Sequence, residues 1–153
     1  DAIDVDYGNG TLRNLEFNKV LNDGIDFSES YATVNDLTFN NIGDKAISVG
    51  ENSNLKINNA MITNAYIGIV SKDGSKVYVD KIKTDNVKFP FASYQKKKEY
   101  DYPQLNAKNT TINKFKTLYL KDNFSLLSIN NLSKKNITKD ILKLIYDPNY
   151  KIH

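Results

Sequence analysis

The chain has 153 residues, 40% of them hydrophobic and 25% charged, a balance that suits one packed domain and argues against extended disorder. There is no cysteine, which excludes disulfides, thiolate metal sites and cysteine nucleophiles, and the single histidine is the last residue, His153, which argues against a histidine-based triad or metal cluster. The net charge of +3 hides an asymmetry: residues 1–50 hold nine Asp or Glu and three Lys or Arg, residues 51–153 nine and eighteen, so an acidic surface is expected at one end and an anion-tolerant one at the other.

A 22-residue period starts at once. Ile3, Ile25, Ile47, Ile69 and Phe91 share one frame, in Asp1-Ala2-Ile3-Asp4-Val5, Asp23-Gly24-Ile25-Asp26-Phe27 and Lys45-Ala46-Ile47-Ser48-Val49. Asp1 already lies inside the repeat, so a longer chain is expected to precede it. A second set of apolar pairs follows at Ala32/Val34, Leu55/Ile57 and Val77/Val79, and a third at Leu15/Phe17, Leu37/Phe39, Ala60/Ile62 and Ile82/Thr84. Spacing of two within each pair is the period of a strand with one buried face. Three short strands per period, separated by Gly, Asn, Asp and Ser, describe one coil of a β-solenoid, because a single 22-residue unit cannot bury enough apolar surface alone. Of the 21 asparagines, Asn41, Asn64 and Asn86 occupy one column, where alternation predicts inward amides forming an asparagine ladder.

Residues 95–104 interrupt the period and read as a surface loop inserted into the fourth full coil. Pairing is expected to resume at Leu105/Ala107 and Thr110/Ile112, and Leu118-Tyr119-Leu120 with Leu127-Ser128-Ile129 would add a further coil. Residues 137, 141, 142, 144 and 145 are apolar at helical spacing, with Asn136 or Thr138 as N-cap and Pro148 beyond the end. The expected organisation is therefore all-β: a right-handed single-stranded parallel β-helix of five to six coils over 1–132, then a C-terminal capping α-helix and tail over 133–153. No apolar run is long enough to span a membrane.

With this repeat, the chain resembles the right-handed parallel β-helix proteins, the group of pectate lyases, polygalacturonases, alginate epimerases and phage tailspikes. Asp23-Gly24-Ile25-Asp26-Phe27, Gly43-Asp44-Lys45-Ala46-Ile47-Ser48-Val49-Gly50-Glu51 and Ala92-Ser93-Tyr94-Gln95-Lys96-Lys97 are similar to segments of uncharacterised bacterial β-helix repeat proteins. Asn22-Asp23-Gly24-Ile25-Asp26 and Gly43-Asp44-Lys45 are also similar in outline to the Asn-Thr-Asp and Gly-Asp-Asp of polygalacturonases. Lys45 stands where that family has its second Asp, Tyr66-Ile67-Gly68 where it has Gly-His-Gly, and its Arg-x-Lys has no counterpart.

Two clusters carry candidate chemistry. Asp4 and Asp26 share one outward column, one coil apart, as a candidate catalytic carboxylate pair for a polysaccharide lyase, hydrolase or epimerase. With Asp6 they are also candidate calcium ligands, since that ion takes several oxygen ligands; otherwise no cofactor is expected. Tyr94, Tyr100 and Tyr102 interleave with Lys96 and Lys97 in the inserted loop, where flat rings could stack on sugars and ammonium groups meet their acidic substituents. Nucleic acid is not expected, because this short lysine run lacks a wider arginine surface. The leading expectation is a carbohydrate-polymer-binding module of a larger exported protein, non-catalytic or of undetected activity, extracellular or on a bacterial-type cell surface. A structural segment of a surface fibre or adhesin is the third reading.

Overall fold

The computed structural model describes residues 1–151; His153 lies outside the described residues. The chain winds as a parallel β-solenoid of about six turns followed by a very short helical end. The first coil contains β1 (Ile3–Asp6) and β2 (Asn9–Val20), and the second opens with β3 (Ile25–Ser28). The strands β4 (Tyr31–Gly50), β5 (Asn54–Lys72) and β6 (Lys76–Tyr94) each run through two bends. Shorter strands follow: β7 (Gln104–Asn113), β8 (Tyr119–Lys121), β9 (Leu126–Ile129) and β10 (Leu132–Ser133). The helices are α1 (Ile141–Tyr146) and α2 (Pro148–Lys151).

The ladders follow the 22-residue period. Ile3 pairs with Ile25, Ile25 with Ile47, Ile47 with Ile69, Ile69 with Phe91, and Phe91 with Tyr119. Ile25, Ile47, Ile69 and Phe91 are fully buried, so each coil places an apolar side chain on the one before it at a spacing of about 4.8 Å. A second ladder joins Leu12, Val34, Ile57, Val79, Ala107 and Ile129, and a third joins Phe17, Phe39, Ile62 and Thr84. Phe17 and Phe39 stack face to face with centroids 4.7 Å apart.

Two columns of left-handed residues turn these long strands. Asn14, Asp36, Asn59, Lys81 and Asn109 form one column; Lys19, Asn41, Asn64, Asn86 and Lys114 form the other, all at φ between 46° and 61°. Asn, Asp and their neighbours tolerate this conformation, and one such residue per coil bends the strand without breaking its pairing. It also corrects the expected inward ladder. A left-handed residue reverses the alternation, so Asn41, Asn64 and Asn86 are exposed rather than inward. Amide bonds still run along the outside: Asn86 Nδ2 donates to Asn64 Oδ1 at 2.7 Å, and Asn64 Nδ2 to Asn40 Oδ1 at 3.4 Å. At the third corner the inward polar column is made of serines. Ser30 N donates to Ser53 Oγ, and Ser75 Oγ donates to the Val49 carbonyl.

Extra residues collect at corners. Between Ile42 and Lys45 the pairing to β5 shifts by one residue, which makes room for Gly43 and Asp44. Gly43 is required there, because a Cβ would run into the Leu21 carbonyl. The larger insertion lies between Tyr94 and Gln104, and the ladders continue on both sides of it.

The C-terminal helix is shorter than its spacing suggests and sits elsewhere. The segment at Thr138 is held against Lys121 outside the helix: Thr138 N donates to the Lys121 carbonyl, and its Oγ1 accepts from Lys121 N. Asp140, in a left-handed conformation, holds the N-cap position that Asn136 or Thr138 was expected to fill. Ile141 and Ile145 pack on Tyr66, Ile67, Val70, Phe89, Ala92, Tyr94 and Leu120, which lie on the outer flank of the coils rather than at the open end of the stack. The last coil is instead flanked by β10, antiparallel to β9.

Candidate functional site

The outward column of the first ladder changes character along the solenoid: Asp4, Asp26, Ser48, Val70, Ala92, Leu120. Helix α1 covers the apolar half. Tyr66 Oη donates to the Leu144 carbonyl at 2.8 Å, and the Tyr94 and Tyr146 hydroxyls meet at 2.6 Å. The polar half, on the first three coils, is the candidate site.

Its centre is an ion cluster. Lys45 Nζ lies 3.2 Å from Asp23 Oδ1 and 2.7 Å from Asp44 Oδ2, and Lys45 N donates to Asp23 Oδ1 at 3.0 Å. All three residues are buried. Burial raises the Asp23 pKa, and the Lys45 ammonium only partly offsets it. Burial alone would lower the Lys45 pKa, but Asp23 and Asp44 together raise it. The ammonium thus stays charged between two carboxylates, with the Tyr146 ring 5.4 Å away. The corner at Gly43 and Asp44 is what brings Asp44 to Lys45.

Asp4 and Asp26 are paired across adjacent strands, as the repeat predicts. Asp4 is exposed, and Asp26 is half-buried beside Lys72, whose Nζ is 3.7 Å from Asp26 Oδ1. Gly50 lies beside the Lys72 stem, two residues along from the Asp26 column, and its missing side chain leaves room for it. The carboxylates that approach within 4.8 Å as a group are Asp1, Asp23 and Asp26; Asp4 and Asp6, expected beside Asp26 as metal ligands, are outside that group. Lys45 Nζ lies 3.2 Å from Asp23 Oδ1 and Lys72 Nζ 3.7 Å from Asp26 Oδ1, so two ammonium groups already share the charge of this group.

The inserted loop folds back onto the solenoid. Lys96 N and Lys97 N both donate to Asp73 Oδ1, at 2.6 and 2.7 Å, and Gln95 N donates to Asp122 Oδ2 at 2.7 Å. Lys97 Nζ pairs with Glu51 Oε1 at 2.6 Å, while Ser28 Oγ donates to Glu51 Oε2. These two partners, against the opposing effect of burial, hold the Glu51 carboxyl below its ordinary range. Lys96 lies over the Tyr146 ring at 4.5 Å.

Tyr94 departs from expectation. It is fully buried under α1, so its ring presents no face to a sugar. Burial and the neighbouring Tyr146 push its pKa well above the usual tyrosine value. Tyr100 reaches Glu29 Oε1 at 3.4 Å, and Tyr102, 43% exposed, lies tilted against Phe124 with centroids 4.9 Å apart. The loop therefore keeps Tyr100, Tyr102, Lys96 and Lys97 near its surface and gives Tyr94 to the interior. Lys72, Glu51 and Tyr146 belong to the same surroundings, and no motif announced them: each acts through coil stacking or helix docking.

A family model described as Rhamnogalacturonase A/epimerase, pectate lyase-like, matches residues 1–70. Those residues form the first three coils, including the Asp23–Asp44–Lys45 cluster and the Asp4–Asp26 pair. No curated protein and no solved structure matches the chain. The match over these coils and the parallel β-solenoid fit the pectate lyase-like β-helix superfamily.

Proposed function

We propose that the chain is a carbohydrate-polymer-binding β-helix module of a larger exported protein, extracellular or at a bacterial-type cell surface, and that it turns over no substrate. One observation carries the non-catalytic reading. Asp23 and Asp44, which lie in segments similar in outline to polygalacturonase motifs, are buried and both held by Lys45. A general acid and base must reach the proton they move, and a salt-bridged pair facing its own lysine does not. The pectate lyase-like match supports a polysaccharide as partner. Tyr100 and Tyr102, with Lys96 and Lys97, are the loop residues proposed to contact it. Glycan-array binding by the full chain, lost in a Tyr100→Ala/Tyr102→Ala double variant, tests this; absence of binding to every neutral and acidic polysaccharide overturns it.

A second reading is favoured by the stacked carboxylates of the first two coils. Asp4 and Asp26 are stacked in adjacent coils within the matched region and could serve a polysaccharide lyase, hydrolase or epimerase. Incubation with uronate polymers, reading unsaturated ends, new reducing ends and epimer composition, separates the readings. Product that disappears in Asp26→Asn establishes the enzyme.

A further inference from the structure

The corner after the outer asparagine column repeats in three consecutive coils: Asn64-Ala65-Tyr66, Asn86-Val87-Lys88 and Lys114-Phe115-Lys116. Lys114 takes the left-handed place that Asn64 and Asn86 hold before it, with φ of 46° against 55° and 56°. Lys116 N donates to the Lys88 carbonyl at 3.1 Å, so these two lysines belong to adjacent coils at the same corner. All of these residues except the buried Val87 line an open cleft of about 680 Å³. Its described lining residues include Lys88, Lys114 and Lys116.

Stacking like charges on neighbouring strands is unfavourable. Burial, and then the nearby Lys116, lower the Lys88 pKa, consistent with that crowding. Lys88 Nζ lies 5.0 Å from the Tyr66 ring centroid, which fixes its stem against the wall. Phe115 is 47% exposed beside it, a flat apolar surface at the cleft mouth. The Asn64 and Asn86 amides, already joined at 2.7 Å, add polar edges of the kind that sugar hydroxyls recognise.

We infer that this cleft is a second binding site, for a glycan chain carrying tetrahedral oxyanions, sulfate or phosphate esters. Lysine ammonium groups act as compact point charges with rotatable donors and suit a tetrahedral oxyanion. The site lies outside the acidic face and the Tyr100–Tyr102 loop. It rests on the glycan-binding reading for its choice of polymer, not for its location.

The test is calorimetric titration of the full chain, at fixed ionic strength, with dextran sulfate, phosphorylated dextran, unmodified dextran, polygalacturonate and a single-stranded oligonucleotide. Binding of dextran sulfate or phosphorylated dextran is expected, and the arm that binds more tightly assigns the ester. In Lys114→Asn/Lys116→Gln, where Asn is the residue the preceding coils carry, that affinity should fall about tenfold. Lys83→Gln/Lys108→Gln, exposed lysines elsewhere, should leave it unchanged. Equal loss in both double variants, equal affinity for unmodified dextran or polygalacturonate, or tighter binding of the oligonucleotide overturns the inference. If glycan binding is lost in Tyr100→Ala/Tyr102→Ala but kept in Lys114→Asn/Lys116→Gln, the cleft fails and the proposed function stands. If no glycan binds at all, both fall.

Discussion

Lys45 shows how much one side chain can decide. It holds two buried carboxylates at 3.2 and 2.7 Å, and removing its charge leaves both without their cation. Lys45→Met is expected to destabilise the protein by about 3–5 kcal/mol at neutral pH, read as a lower urea midpoint. The sign with pH follows from the carboxylates. Burial already raises the Asp23 pKa, and without the ammonium its folded value rises further above the unfolded one. A raised carboxyl favours the folded state at low pH and loses that contribution as pH rises through its folded value, so the deficit should shrink as the solution is acidified below neutral pH. Glu51 runs the opposite way. Its folded pKa lies below the ordinary 4.5, so its stabilisation is present above that value and lost as pH falls through the folded one. Glu51→Gln should therefore flatten the loss of stability between pH 5 and pH 3, with an effect moderated by the partial exposure of Lys97. At this scale the sequence was only half legible. The Asp4–Asp26 stack followed from the period alone, since equivalent positions must meet. The Lys45 clamp did not, because it depends on a one-residue shift between Ile42 and Lys45 that alternation cannot place.

Helix α1 has six residues, too few to be stable by itself in water. Its stability comes from docking: Ile141 and Ile145 are buried against the flank, and two hydroxyl bonds cross the contact, Tyr66 to the Leu144 carbonyl and Tyr94 with Tyr146. Ile145→Ala is expected to cost about 2–5 kcal/mol of docking, enough to expose Phe89 and Ala92. The measurement is dye binding to exposed apolar surface together with protease sensitivity after Lys134, while the far-ultraviolet β signal stays. A fall in that β signal would contradict the view that the helix is laid on a finished solenoid. Helical spacing in residues 137–145 identified the element but misplaced its start. The Thr138–Lys121 bonds hold the preceding segment outside the helix, and a partner 17 residues away leaves no local trace. Its docking face was hidden for the same reason: Tyr66 and Leu144 are 78 positions apart.

For the whole molecule, the winding was the most legible property, because every coil repeats the same inward ladder and a period survives local noise. Less legible was which parts of the outer surface would be open. That depends on the fall from Asp4 to Leu120 along one outward column, and on a C-terminal segment that seeks the apolar end. The insertion between Tyr94 and Gln104 adds a different lesson. Phe91 and Tyr119 are 28 residues apart yet still pair, so the corner absorbs extra chain without disturbing the ladders beside it. Lengthening a closed loop costs little, about 0.6 kcal/mol per doubling. A short flexible peptide spliced between Lys98 and Glu99 should leave the melting temperature within about 2 °C of the parent chain. A drop well beyond that would mean the Asp73 and Asp122 anchors, not the ladders, govern the corner. If it holds, this protein is a natural display scaffold, a rigid stem with one vacant address where foreign epitopes or affinity handles can be mounted.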